Sequence, residues 1–270
     1  MPELPEVENV RRNINPFVLN RKIKIETLAD VKLFKTPQEE INKVLSGNEF
    51  SRIDRLGKYL FFRLKDSIYS LCIHLGMSGQ LYARNAPIKK DHLHFVLDLA
   101  GQKLWYRDPR RFGKIFLFET DNPKKHNLLK KVGPDALSIT PEYLIKAIKK
   151  NRPIKVQLMD QAILAGVGNI YADEVLFRIG VHPETKAKTL EDSKIKELHT
   201  KLIALLEDSI KAKGASVTYA VGGENEQGSF QDNLFVYRKA GQKCKICETK
   251  LEKIEVNQRG TTFCPTCQKQ

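Results

Sequence analysis

Tyr59-Leu-Phe-Phe-Arg-Leu-Lys-Asp-Ser-Ile-Tyr-Ser-Leu-Cys-Ile-His-Leu75 sets two aromatic and β-branched runs on either side of a short polar break. Runs of that length and makeup read as strands, and the break reads as the turn between them. Working outward, residues 22–28, 49–55, 92–99, 103–107 and 114–118 have the same character, and Gly or Asp clusters separate many of them. Together these segments predict a two-layer β domain. Ahead of it, Val7, Val10 and Ile14 recur at helical spacing over residues 3–14, and Pro16 is expected to stop that helix.

The stretch 120–141 is polar and contains three prolines and one glycine. Beyond it the hydrophobic period changes from two to about 3.6, which places a domain boundary there. Helices are expected over 141–150, 153–164, 170–178 and 190–213, the last with Leu198, Leu202, Leu205 and Ile210 along one face. Residues 214–228 contain Gly214, Gly222, Gly223 and Gly228 and few large apolar groups, a composition that predicts a lid. The expected organisation is residues 1–130, 131–228 and 229–270.

Cys244 and Cys247, then sixteen residues, then Cys264 and Cys267 form two Cys-x2-Cys knuckles around a strand-like segment at 252–256. That spacing presents four thiolates tetrahedrally to one zinc ion, and four protein sulfurs leave no open position for water, so the metal is structural. Cys72, inside an apolar strand, reads as a small buried hydrophobe. The 270-residue chain holds 46 Lys and Arg against 32 Asp and Glu, a net charge of +14, which calls for a polyanionic partner, nucleic acid ahead of an acidic membrane. The acidic, proline-containing start and the lack of any apolar run of about 18 residues predict a chain that is neither secreted nor membrane-spanning. Metal-type cysteine spacing points to a reducing cytoplasm.

Removal of Met1 before Pro2 leaves a free secondary amine. An α-amino group has a pKa near about 8, against about 10.4 for Lys, so it supplies far more neutral nucleophile at physiological pH. Its iminium cannot shed charge by losing an N–H proton and is a persistent electron sink for elimination at a sugar carbon. Glu3 could exchange protons with the same substrate. Pro and Glu are also ordinary first-turn residues, so this segment alone leaves both readings open.

Pro2-Glu-Leu-Pro-Glu-Val-Glu8, Gly57-Lys-Tyr-Leu60, His74-Leu-Gly-Met-Ser-Gly79, Asp108-Pro-Arg-Arg-Phe-Gly113, Ala165-Gly-Val-Gly-Asn-Ile-Tyr-Ala-Asp-Glu174 and Gln258-Arg-Gly260 between the cysteine pairs span nearly the whole chain. In these motifs and their order the chain resembles the formamidopyrimidine-DNA glycosylase family, bacterial repair enzymes for oxidised purines. The related endonuclease VIII branch prefers oxidised pyrimidines and usually opens Pro-Glu-Gly-Pro, whereas Leu4 stands here.

The resemblance implies an α+β architecture: an N-terminal β-sandwich with an N-terminal helix, a helical domain with a helix-two-turn-helix, and a zinc-finger hairpin carrying one Zn2+. It implies a cytoplasmic, monomeric, bifunctional glycosylase and AP lyase acting on damaged double-stranded DNA. By resemblance, Pro2 is the Schiff-base nucleophile at C1′, Glu3 the acid that opens the sugar, and Lys58 an aid to β-elimination. Arg259 and Asn169 would grip the phosphates that flank the flipped nucleotide, as guanidinium forks and helix N-termini do. Met77, Arg110 and Phe112 would fill the space left by the extruded base. Glu6, His92, Arg111, Lys150, Lys155 and Tyr237 are further expected DNA contacts. The chain departs from the family at Gly241-Gln-Lys-Cys244, where a proline commonly precedes the first cysteine, and a looser approach to the hairpin is expected. Two competing readings are the pyrimidine-preferring branch and a zinc-ribbon DNA-binding protein without chemistry. The second leaves Pro2, Glu3 and Lys58 unexplained.

Overall fold

In β3 (Tyr59–Leu64), Leu60, Phe62 and Leu64 enter one core while Phe61 meets Phe118 on the opposite face, the period of two that a pleated strand imposes. The structure, a computed structural model, describes residues 2–29, 32–84, 89, 91–148, 150–215 and 228–269. Within these, β2 (Phe50–Leu56), β3, β4 (Tyr69–His74) and β8 (Lys114–Glu119) form an antiparallel sheet in the order β2-β3-β4-β8. β1 (Ile23–Leu28), β6 (Leu93–Leu99), β7 (Gln102–Arg107) and β5 (Gln80–Arg84) form a second, in the order β1-β6-β7-β5. Phe95, Leu97, Leu99 and Leu104 from the second sheet share a core with Leu60, Phe62, Leu71 and Ile73 from the first, which makes the sandwich. Two-residue turns join β2 to β3 and β6 to β7, while four residues join β3 to β4; between β6 and β7, Ala100 and Gly101 both take positive φ, the type I′ geometry whose twist matches that of the strands.

α1 (Leu4–Val18) lies against strands of both sheets. It runs past Pro16, where the sequence predicted a stop. Pro16 cannot donate to the Arg12 carbonyl, but Val10, Ile14 and Val18, each four residues apart, are all buried in the sandwich core, and that packing carries the last turn. α2 (Gln38–Leu45) and β5 had no clear sequence signal: α2 buries only Ile41 and Leu45, and β5 follows a glycine-flanked loop.

The described residues gather into two compact units, 1–131 with 212–229, and 132–211 with 230–270. The second holds α3 (Pro141–Ile148), α4 (Ile154–Leu158), α5 (Asn169–Arg178) and α6 (Asp192–Lys211), with the hairpin β9 (Glu252–Val256) and β10 (Arg259–Phe263). α6 buries Leu198, Leu202, Leu205 and Ile210, the expected stripe. α4 is much shorter than the expected 153–164. Asp160 accepts the Ala162 amide, and Gln161 bonds the Met159 and Val167 carbonyls and the Gly166 amide. These side chains offer the backbone an alternative to the helix, so the chain loops before α5 begins.

α1 is tied to its sheet by charge as well as packing. Glu8 is buried and receives Arg11 at 2.7 Å, Arg12 at 2.8 Å and Arg55 at 3.1 Å. Burial alone would raise its carboxyl, yet hydrogen bonds from Arg11 and Arg12 and the charges of Arg11 and Arg55 hold it down at about 2, against 4.5. A folded value below the unfolded one means that this contribution is complete above 4.5 and is lost as the pH falls towards 2. Glu8→Gln should therefore lower the urea midpoint at neutral pH, and its gap from the parent should narrow by about pH 3. A gap that stays constant over that range would contradict the assignment.

Candidate active site

Pro2 and Glu3 lie at the head of α1 and are both buried, Glu3 at 2% exposure. Glu3 occupies the N-cap position, and its amide donates to Glu6 Oε2 at 2.9 Å. Glu6 Oε1 accepts the amide of Ala215 at 2.9 Å. Glu6, expected at the DNA surface, is thus a buried strut between the helix start and the base of the glycine-rich segment. Gly214 passes it at φ +89°, where an added Cβ would lie 2.9 Å from Glu6 Oε1. Residues 216–227 of the expected lid fall outside the described residues.

Lys58 is buried at 5% exposure, in the two-residue turn that joins β2 and β3. Close by, His74 ends β4 and packs its ring on Tyr59, with centroids 4.7 Å apart. Burial, followed by the charges of Lys58 and Lys114, holds its imidazole down at about 4, so the ring is neutral at physiological pH. Its Nδ1 accepts the Gly76 amide at 3.1 Å. The Lys58 turn and the loop that carries Met77 are therefore braced through one residue.

Met77 and Phe112 are exposed at 37% and 51%, so neither is a core side chain. Arg110 is exposed and its guanidinium sits 4.8 Å from the Phe112 ring centroid, a cation–π contact. The loops beneath them interlock. A Cβ on Gly76 would fall 2.5 Å from the Phe112 carbonyl carbon, and one on Gly113 would fall 1.7 Å from the Tyr106 hydroxyl. At the centre, fully buried Asp108 accepts the Ser78 and Tyr106 hydroxyls and the amides of Arg110 and Gly113. Arg111 and His92 are exposed and both take positive φ; His92 pairs with Asp91 at 3.4 Å.

In the second unit, Asn169 opens α5 behind Gly168, which has no side chain to cap the first-turn amides. Its Nδ2 donates to the Gly260 carbonyl at 3.0 Å. With Asp173, Tyr237, Arg238, Lys253 and Gly260 it lines a cleft of about 400 Å³. Arg259 is exposed beside the hairpin turn, where Asn257 and Gln258 both take positive φ. Lys150 is exposed as well.

Lys155 is a correction. It was expected to touch DNA, but it is fully buried, with Nζ 2.5 Å from Asp173 and 2.6 Å from the Thr261 hydroxyl. Burial pushes the Asp173 carboxyl up while Lys155 pulls it down. Removing one partner of such a pair costs about 3–5 kcal/mol. Lys155 therefore ties α4 and α5 to the hairpin and does not face solvent.

Glu174 escaped sequence reasoning altogether, as did Asp108. Fully buried, it accepts the amides of Phe235, Val236 and Tyr237 at 2.8–3.0 Å and a guanidinium nitrogen of Arg178 at 2.6 Å. It fixes the backbone that presents Tyr237. Both carboxylates stand inside recognised motifs, but nothing in their spacing marks them as acceptors for distant amides.

The sulfurs of Cys244, Cys247, Cys264 and Cys267 lie within 4.8 Å of one another, with 3.9 Å between Cys244 and Cys267 and 3.4 Å between Cys247 and Cys264. A tetrahedron with bonds of about 2.3 Å has edges near about 3.8 Å, so the cluster fits zinc. The amides of Ile246 and Cys267 point at the Cys244 and Cys264 sulfurs. Although it lacks the proline, the approach to the hairpin is held by Gly241 bonding Leu251, Leu251 bonding Gln242 and Cys244 bonding Thr249, all at 2.8 Å.

Three family profiles match the chain. The Formamidopyrimidine-DNA glycosylase N-terminal domain covers residues 1–115, its H2TH domain 132–221, and the zinc finger found in FPG and IleRS 241–270. The chain is 41% identical to the formamidopyrimidine-DNA glycosylase of Bacillus subtilis over 275 residues and 39% identical to that of Lactobacillus helveticus over 274, covering 99% of each partner in both cases. Lactococcus lactis Fpg bound to DNA with an abasic site superposes with a TM-score of 0.89 at 36% identity, covering 99% of this chain and 100% of that one. A variant of the same protein bound to Fapy-dG DNA superposes at 0.90, also at 36% identity, with full coverage of both chains. The cysteine cluster and its profile together make the metal one structural zinc. With profiles across all three segments and full-length relatives near 40% identity, the chain belongs to the formamidopyrimidine-DNA glycosylase family.

Proposed function

We propose that this protein is a bifunctional DNA glycosylase and AP lyase of base excision repair that removes oxidised purines from duplex DNA. The observation that carries the proposal is the burial of Pro2 and Glu3 at the head of α1, in a unit that also buries Lys58 and exposes Met77, Arg110 and Phe112 on interlocked loops. Burying an acid is costly unless it is hydrogen-bonded, and the capping box in which the Glu3 side chain accepts the Glu6 amide and the Glu6 side chain accepts the Glu3 amide holds this carboxyl at the helix head. Relatives of this chain are named for formamidopyrimidine removal and include complexes with Fapy-dG and abasic DNA.

In the proposed reaction the neutral Pro2 amine attacks C1′ as the bond to the damaged base breaks, and the proton lost from the amine nitrogen goes with the departing base. Glu3 delivers a proton to the ring oxygen, which opens the sugar and yields the iminium. The iminium makes the C2′ proton acidic, so its removal, assisted by Lys58, expels the 3′ phosphate; a second elimination expels the 5′ phosphate. Phe112 and Met77 wedge the base step and Arg110 bonds the orphaned partner base. Arg259 and Asn169 hold the flanking phosphates, and Tyr237, His92, Arg111 and Lys150 add contacts. Zinc supplies no chemistry; it fixes the hairpin on which Arg259 stands. The working form is a cytoplasmic monomer, and among the described residues no helix is long and apolar enough to cross a membrane.

Three outcomes test this. Borohydride added during reaction with 8-oxoguanine duplex should trap a protein–DNA adduct that peptide mass analysis assigns to Pro2, and an extra residue ahead of Pro2 should abolish it. Normal excision and cross-linking by the blocked chain would move the nucleophile to Lys58. Phe112→Ala should raise the cost of opening the helix by about 1–3 kcal/mol and slow excision from intact duplex far more than cleavage of a preformed abasic site; equal slowing would sink the wedge. Metal analysis should find one zinc per chain, and Cys247→Ser should lose both zinc and DNA affinity, because binding free energy at such sites is folding free energy.

A further inference from the structure

Arg55 stands next to the turn that carries Lys58, and its side chain is only 8% exposed. Its Nε donates to Glu8 Oε2 at 3.1 Å and its Nη1 to the carbonyl of Gly57 at 3.1 Å. One guanidinium therefore joins α1, which begins at Leu4 directly after Pro2 and Glu3, to the turn that presents Lys58. Arg11 strengthens the same seam, bonding Glu8 through Nε and the Ile53 carbonyl of β2 through Nη1.

The bonded carbonyl belongs to the peptide between the two central residues of the turn. Gly57 takes φ +57° while Lys58 stays outside the left-handed region, the II′ pattern with glycine first. Rotating that central peptide would convert the turn towards type I′ and carry Lys58 to positive φ, which is uncommon for a residue with a Cβ. The peptide is planar, so its carbonyl and the Lys58 amide turn together. A donor anchored on the Glu8 carboxylate and aimed at that carbonyl opposes the rotation. Lysine could not replace it, because a single ammonium on a flexible stem lacks two donors in fixed relative directions.

We propose that Arg55 is a positioning residue for the reaction: held by Glu8, it locks the Gly57–Lys58 peptide and so fixes the direction from which Lys58 meets the sugar. This rests on the role given to Lys58 above. The charge of Arg55 is matched by Glu8, and the requirement is for the shape of the fork.

Single-turnover strand cleavage at a preformed abasic site in duplex DNA, the elimination in which Lys58 acts, with DNA affinity and melting temperature measured alongside, tests the proposal on the full-length zinc protein. Arg55→Lys keeps the charge next to Glu8 but loses the fork. It should slow strand cleavage roughly 10- to 100-fold while affinity changes by less than about threefold, since misaiming a reacting group costs rate before binding. In the Lys58→Ala background the same substitution should add less than about twofold, because Arg55 then has nothing to aim. Arg55→Lys acting at the parent's rate, or multiplying fully with Lys58→Ala, would overturn the inference alone. Lys58→Ala acting at the parent's rate would overturn the role of Lys58 and the inference with it. Should Arg55→Lys fail to fold, Glu8→Gln is the second variant; it weakens the anchor, and its slowing should likewise vanish in the Lys58→Ala background.

Discussion

A carboxylate taken out of water must gather donors of its own, and in this protein that constraint places the loops proposed to carry the chemistry. Asp108 collects two hydroxyls and two amides and so holds the loops beneath Met77, Arg110 and Phe112. Glu174 collects three consecutive amides and Arg178, and so holds Tyr237. Glu8 collects three guanidinium groups and so holds α1 on β2. Each is a point of high cost if left half-satisfied. That cost gives an otherwise irregular segment one preferred conformation.

Above these anchors the side chains proposed to meet DNA are left in solvent. Met77, Arg110 and Phe112 rise from backbone in which a single added Cβ at Gly76 or Gly113 would collide. The arrangement separates two demands. Flexible or aromatic tips can enter a base stack, while the backbone that aims them cannot drift. The net charge of +14 acts at longer range, drawing a polyanion to the surface without selecting any base.

The zinc hairpin meets the same need by another route. Its apolar cluster is little more than Phe177, Val236, Leu251 and the buried cysteines, too small to order thirty residues by itself. Four sulfurs on one metal supply the missing cohesion, and the buried Lys155–Asp173–Thr261 link transmits it to α4 and α5. The strand that carries Arg259 is thereby referred to rigid helices.

The sequence by itself determined the features that local periodicity and spacing encode: the alternating strands of the sandwich, the Leu198–Leu202–Leu205 stripe of α6, the paired cysteines, and the run of motifs that marks the family. Such signals survive in a single chain because each is a relation between residues a few positions apart. Tertiary structure alone decided that α1 continues through Pro16, that the expected helix over 153–164 stops at Leu158, that Lys155 and Glu6 are buried, and that Arg55 spans α1 and a turn. A charged residue reads as surface until its partner is known. The partner of Lys155 lies 18 residues away and that of Arg55 47 residues away. Whether a charge is buried depends on the donors and acceptors that folding brings around it, and no local pattern records them.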